Sequence, residues 1–117
     1  MLKKANVNVI SLVCIIALIA AQPIFAQTTV TAGTIKQILT GWSSDTFGVM
    51  TTASVVNPAG CTATDMYESS SPAPGYTTFY AAALTGFTTG AQVSIVVSNT
   101  TCTQNRPSIM GIYITAP

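Results

Sequence analysis

Met1-Leu2-Lys3-Lys4 opens the chain with a basic head, and Val7 to Ala21 follows as an apolar run broken mainly by Asn8 and Ser11. Pro23 interrupts the run before Ile24-Phe25-Ala26. A basic head, about 15 apolar residues and a small residue at the exit describe a secretory signal peptide, not a spanning helix of ~20 residues. Cleavage is expected after Ala26, with Ala20 and Ala21 as alternative sites and an uncleaved anchor as the alternative outcome. Cys14 is not read as a lipidation site, because the bulky Val13 precedes it and the apolar run continues past it.

Beyond the leader the pattern changes from a block to an alternation. Gln27 to Thr31 reads as a polar lead. Ala32 to Trp42 places apolar groups on both faces, as in a strand that bends between two layers at Gly33 or Gly41. Phe47, Val49, Thr51, Ala53 and Val55 alternate with their neighbours and predict a second strand running to Val56. Asn57-Pro58-Ala59-Gly60 is a turn signal, with Pro presetting one dihedral and Gly accepting a positive one. Cys61 to Glu68 then reads as a third strand in a hairpin with the second, and Ser69 to Gly75 as a loop. From Tyr76 to Thr89 the period shifts. Tyr76, Tyr80, Ala83, Leu84 and Phe87 recur at steps of three and four, so a helix is expected, capped by Thr77 or Thr78 and stopped by Gly90. Val93 to Ser98 predicts a fourth strand, Asn99 to Ser108 a polar loop carrying Cys102, and Ile109 to Thr115 a fifth strand. Three strands, a helix and two strands is the element order of a five-stranded OB-fold-like barrel, a mainly β fold with one helix.

Composition narrows the chemistry. The 117 residues are 49% hydrophobic and 6% charged, with no histidine. Without imidazole there is no Ser-His-Asp or Cys-His activation and no histidine metal site. Removal of residues 1–26 leaves a single domain, 27–117, whose charges are Lys36 and Arg106 against Asp45, Asp65 and Glu68, a net −1. A basic patch for a phosphate backbone is missing, which argues against nucleic-acid binding. The same removal leaves two cysteines, Cys61 and Cys102, and an even pair in an exported chain reads as a disulfide. The mature segment holds 19 Thr and 9 Ser, so neutral hydroxyls supply the surface polarity that charge does not.

Asp65 and Glu68, three apart on a strand, would face opposite sides, which argues against a paired-carboxylate enzyme. Lys36 reads as an exposed strand lysine. Tyr67, Tyr76 and Tyr113 read as packing residues. No catalytic residue, metal or cofactor is assigned, and no membrane span is expected after signal cleavage. The candidate ligand contacts are Trp42 with Asp45 in the turn that follows it, and Arg106 in the disulfide loop. For Trp42 the competing role is a plug of the core or the barrel end, and for Arg106 that of a solvated or structural arginine.

Asn57-Pro58-Ala59-Gly60-Cys61, Asp65-Met66-Tyr67, the Tyr80-Ala81-Ala82-Ala83-Leu84 helix, Thr89-Gly90-Ala91-Gln92-Val93, and Cys102 before Pro107-Ser108-Ile109 together resemble a group of small exported bacterial proteins. In element order, disulfide and secretion the chain is more distantly similar to the B subunits of subtilase-type and pertussis-like toxins. That resemblance implies an OB-fold, a glycan ligand and assembly into a homo-oligomer, and it assigns no individual residue. The expected function is therefore a non-enzymatic binding module of the periplasm or the secreted fraction, directed to a glycan. The alternative is a structural or protein-interaction protein of the envelope or secretome with no small-molecule ligand.

Overall fold

A computed structural model of the protein describes residues 26–41 and 44–116; all of the predicted leader except Ala26, together with Trp42, lies outside them. Six strands and one helix follow in the order β1 (Gln27–Thr29), β2 (Gly33–Thr40), β3 (Thr46–Thr51), β4 (Tyr67–Ser70), α1 (Tyr76–Thr89), β5 (Gln92–Thr103) and β6 (Arg106–Thr115). The sheet runs β1-β5-β2-β3-β4-β6, and β6 pairs back onto β5, so five strands form a ring with β1 added outside it on β5. Every pairing is antiparallel except β4 with β6, which meet in parallel at Glu68 and Ser108. Among the described residues, no helix is long and apolar enough to cross a membrane.

The apolar alternation explains the interior. Phe47 and Val49 of β3, Tyr67 of β4, Val93, Ile95 and Val97 of β5 and Ile109 of β6 point inward and form one buried cluster. The irregularity in the first long strand falls at neither Gly33 nor Gly41, where a bend is expected, but at a register shift between Ile35 and Gln37. It lets β2 pair with β5 through Gly33 and Thr34 and with β3 along the rest of its length. The disulfide joins Cys61 to Cys102, with 5.7 Å between the Cα atoms.

α1 has the predicted bounds, and Gly90 ends it in the left-handed conformation at φ 67°. Its start differs from expectation: Gly75 caps it, with no side-chain hydrogen bond from a threonine. The helix rests on the ring through Ala83 and Gly86, both buried, while the Phe47 ring meets Tyr76 and Tyr80 at 5.4 and 5.3 Å. Gly86 lets α1 approach β5 closely, since a Cβ added there would lie 2.7 Å from Cγ1 of Val93. Gly86→Ala is accordingly expected to destabilise by up to about 2 kcal/mol, because overpacking of ~1–3 kcal/mol is set against a helix-propensity gain of ~1 kcal/mol. Urea denaturation measures this, and a more stable variant would show that the helix can lift without cost.

Four segments depart from the sequence expectation, each because pairing partners decide strand limits. Gln27–Thr29 is a strand and not a polar lead, since Val96 to Ser98 of β5 offer it a free edge. The second strand ends at Thr51 and the third begins only at Tyr67, so 52–66 is an irregular connection and not a hairpin. Within it the Asn57 side chain bonds both the nitrogen and the oxygen of Cys61, at 2.8 and 2.7 Å, and the Tyr67 hydroxyl accepts from Val56 N at 2.9 Å. The expected loop 99–108 is instead the tip of a long hairpin, which puts Cys102 on β5 and Arg106 at the first position of β6. Finally, Ser69 and Ser70 extend β4 and do not open a loop.

Candidate functional site

The β5–β6 hairpin turns through two residues, Gln104 at φ 44° and Asn105 at φ 69°. Two successive left-handed residues suit the tight turn that matches strand twist, and Asn tolerates that conformation. Thr103 and Arg106 pair across it, so the turn fixes where the guanidinium starts. Asp65 lies in the connection just before β4 and Glu68 on β4 itself.

Arg106 gathers both carboxylates. Its Nε and Nη2 donate to the two oxygens of Asp65 at 2.7 and 3.0 Å, and its Nη1 donates to Oε2 of Glu68 at 3.1 Å. The expectation that Asp65 and Glu68 face apart is corrected: Asp65 precedes the strand, so the alternation that separates strand neighbours does not apply to it. The hydrogen bonds from Arg106 hold the Asp65 carboxyl below its ordinary range, and the two carboxylates raise the guanidinium further above its own. Asp65 is therefore ionised at neutral pH and has no proton to give. Glu68 is nearly enclosed, with its side chain 5% exposed against 27% for Arg106.

Around this group lies a small cleft of about 80 Å³, walled by Leu39 and Thr40 of β2, Thr46 and Gly48 of β3, Met66, and Gln104. A Cβ at Gly48 would overlap the Met66 sulfur, so a larger residue there would force the Met66 side chain to move. Gln104 Nε2 donates to Ser44 Oγ at 2.6 Å, joining the β5–β6 turn to the β2–β3 turn. The backbone adds a second tie from that hairpin, Ala63 N to Asn105 O at 2.9 Å.

Asp45 does not join Arg106. Its Oδ1 accepts from the Tyr76 hydroxyl at 2.7 Å, so it pins the β2–β3 turn to the start of α1. That hydrogen bond to a carboxylate pushes the Tyr76 hydroxyl up to about 12. Trp42, the third candidate contact, lies outside the described residues. Lys36 is exposed, as expected. Tyr67 is fully buried and Tyr76 half-buried, in line with packing roles, whereas Tyr113 is corrected, being 61% exposed.

A second, larger groove of about 880 Å³ opens where β4 and β6 part beyond their single bridge. The segment from Ser69 to Pro74 forms one wall, and Ser98, Thr101 to Thr103 and Ser108 to Met110 form the other. Ser44 and Gln104 line it as well, and Gln104 also lines the Arg106 cleft, so the two openings share a rim. Sequence reading missed this groove, since scattered serines carry no chemical signature until a fold assembles them. Among the described residues, no group of three His, Cys, Asp or Glu side chains is placed to hold a metal. No protein-family model, curated protein or solved structure matches this chain.

Proposed function

We propose that the protein is an exported, non-enzymatic binding module on an OB-fold barrel, directed to a glycan. The barrel reading is supported by the ring order β2-β3-β4-β6-β5, the parallel contact of β4 with β6 and the helix between β4 and β5. OB barrels take oligosaccharides on the face of their second and third strands, between the loop joining strands one and two and the loop joining four and five. In this ring those strands are β3 and β4, and those loops are the β2–β3 and β5–β6 turns. The observation that carries the reading is the Gln104–Ser44 hydrogen bond, which brings the two turns together over that face. A disulfide is compatible with an oxidising, exported setting.

Purified 27–117 applied to a broad glycan array tests the reading. Selective binding is expected, and Gln104→Ala should weaken it. An array without selective signal would sink the glycan assignment.

A protein-interaction role is the second reading, favoured by exposed apolar side chains on α1 (Leu84 and Phe87) and on β6 (Met110, Tyr113 and Ile114). Such positions are unusual on a monomer when contiguous and serve readily in contacts between chains, including a homo-oligomer. Sedimentation of the same sample separates these cases by mass.

A further inference from the structure

We infer that the groove between Ser69–Pro74 and the β5–β6 arm seats a neutral sugar residue, anchored on the buried hydroxyl of Ser69. The inference rests on the glycan reading above and specifies both where the ligand sits and which class of glycan it is.

Ser69 carries the argument. It follows Tyr67 at a two-residue step on β4, and so shares its inward face. It is 1% exposed, and among the described residues its Oγ is the buried side-chain oxygen with no hydrogen-bond partner. A hydroxyl left in that condition costs about 1–3 kcal/mol, and buried polar groups in folded proteins rarely go unsatisfied. Yet Ser69 lines the groove, so a small parting of the walls would open its Oγ to a ligand hydroxyl. Three other hydroxyls in the same walls are already committed. Thr103 and Ser108 bond each other at 2.7 Å, and Ser98 Oγ accepts the backbone N–H groups of Thr100 and Thr101 at 3.2 and 3.0 Å. These bonds fix the walls, Ser71 and Thr101 are open to solvent and Ser70 is partly so, which leaves Ser69 as the enclosed hydroxyl in want of a partner.

The lining also selects the ligand. No charged side chain contributes to it. Of the two cations in the described residues, Lys36 sits exposed on β2, and Arg106 gives its Nε, Nη1 and Nη2 to two carboxylates. A sialic or sulfated sugar would place its anion in the groove without a counter-charge, at a cost of several kcal/mol. A neutral sugar meets hydroxyls that both donate and accept, while Pro72, Pro74, Ile109 and Met110 offer apolar surface to its C–H face. At about 880 Å³ the open groove has room for more than one ring.

The test uses 15N-labelled 27–117 titrated with neutral probes (lactose, lacto-N-tetraose and mannotriose) and acidic ones (3′-sialyllactose and sulfated lactose). Neutral probes are expected to bind and to shift the amides of Ser69 to Ser71 and Ser98 to Thr103. Ser69→Ala should weaken that binding about five- to ten-fold, the worth of one hydrogen bond. It should not lower the melting temperature, because the hydroxyl it removes has no partner in the protein. Binding by the acidic probes alone, shifts confined to the Arg106 cleft, or unchanged affinity in Ser69→Ala would overturn the inference while leaving glycan binding intact. Absence of binding by any probe, together with a blank array, would overturn both.

Discussion

Serine at both Cys61 and Cys102 is expected to lower the unfolding free energy by about 4 kcal/mol and the melting temperature by roughly 15–30 °C. The bridge closes a loop of 41 residues, and in the chain-entropy account the unfolded chain regains that freedom once the bond is gone. A small domain has little core to offset such a loss. The native side suffers as well, because the bond ties the irregular 52–66 connection to β5. Apart from it, that connection is held by the Arg106–Asp65 pair, Thr52 on Thr34, Val56 on the Tyr67 hydroxyl and Ala63 on Asn105, with the Asn57–Cys61 hydrogen bonds bracing it from within. Thermal unfolding followed by circular dichroism, with the reduced parent alongside, measures the effect. A melting temperature within about 5 °C of the parent would mean that packing alone secures the segment.

Arg106→Ala is expected to cost about 2–4 kcal/mol at neutral pH. Removing the guanidinium leaves Glu68 enclosed on β4 without its partner, and breaking such a pair typically costs ~3–5 kcal/mol. The estimate sits lower because Arg106 and the half-exposed Asp65 remain partly screened by solvent. Arg106→Lys should recover only part of the loss, since an ammonium cannot reproduce the fork that grips Asp65. Adding Glu68→Gln to Arg106→Ala should restore stability relative to the single variant, because the stranded charge is then gone.

The pH dependence has a definite sign. Arg106 lowers the Asp65 carboxyl from its ordinary 3.8, so the contribution is present above that value and fades as pH falls through the lower folded one. The gap between parent and Arg106→Ala should therefore narrow below about pH 4. Urea denaturation at pH 7 and pH 3 reads it directly. An equal gap at both would show that the loss comes from the packing of the arginine stem.

The helix was legible in the chain because its signals are local: an alanine run, steps of three and four, and a glycine free to take a positive φ at Gly90. The β5 core of Val93 to Val97 was legible for the same reason. Strand limits were not. Ala53 and Val55 alternate as well as Phe47 and Val49 do, but no strand lies opposite them, and the ladder stops at Thr51. Asn99 to Ser108 looked like a loop because its residues are polar, yet a hairpin arm needs polarity where it leaves the core. Arg106 stood out by scarcity, being the sole arginine of the domain, and its pairing with Asp65 and Glu68 depended on a connection whose path the sequence did not reveal. Ser69 could not be singled out at all. Its distinction lies in what surrounds it, and those neighbours are distant in sequence: Phe47 opposite it on β3, and the groove walls from β5 and β6.

The ring is closed by unequal joints. β5 and β6 are laced along most of their length, whereas β4 and β6 meet at the single bridge of Glu68 and Ser108, reinforced by the Arg106 side chain. Opening a joint costs roughly what its hydrogen bonds and contacts supply, so local fluctuations concentrate where these are fewest. The parallel joint, like the two-residue pairing of β2 with β5, is one of the ring's short seams, and it borders the serine-lined groove. Parting β4 from β6 at that seam would break one bridge and leave the antiparallel pairings of the ring unbroken.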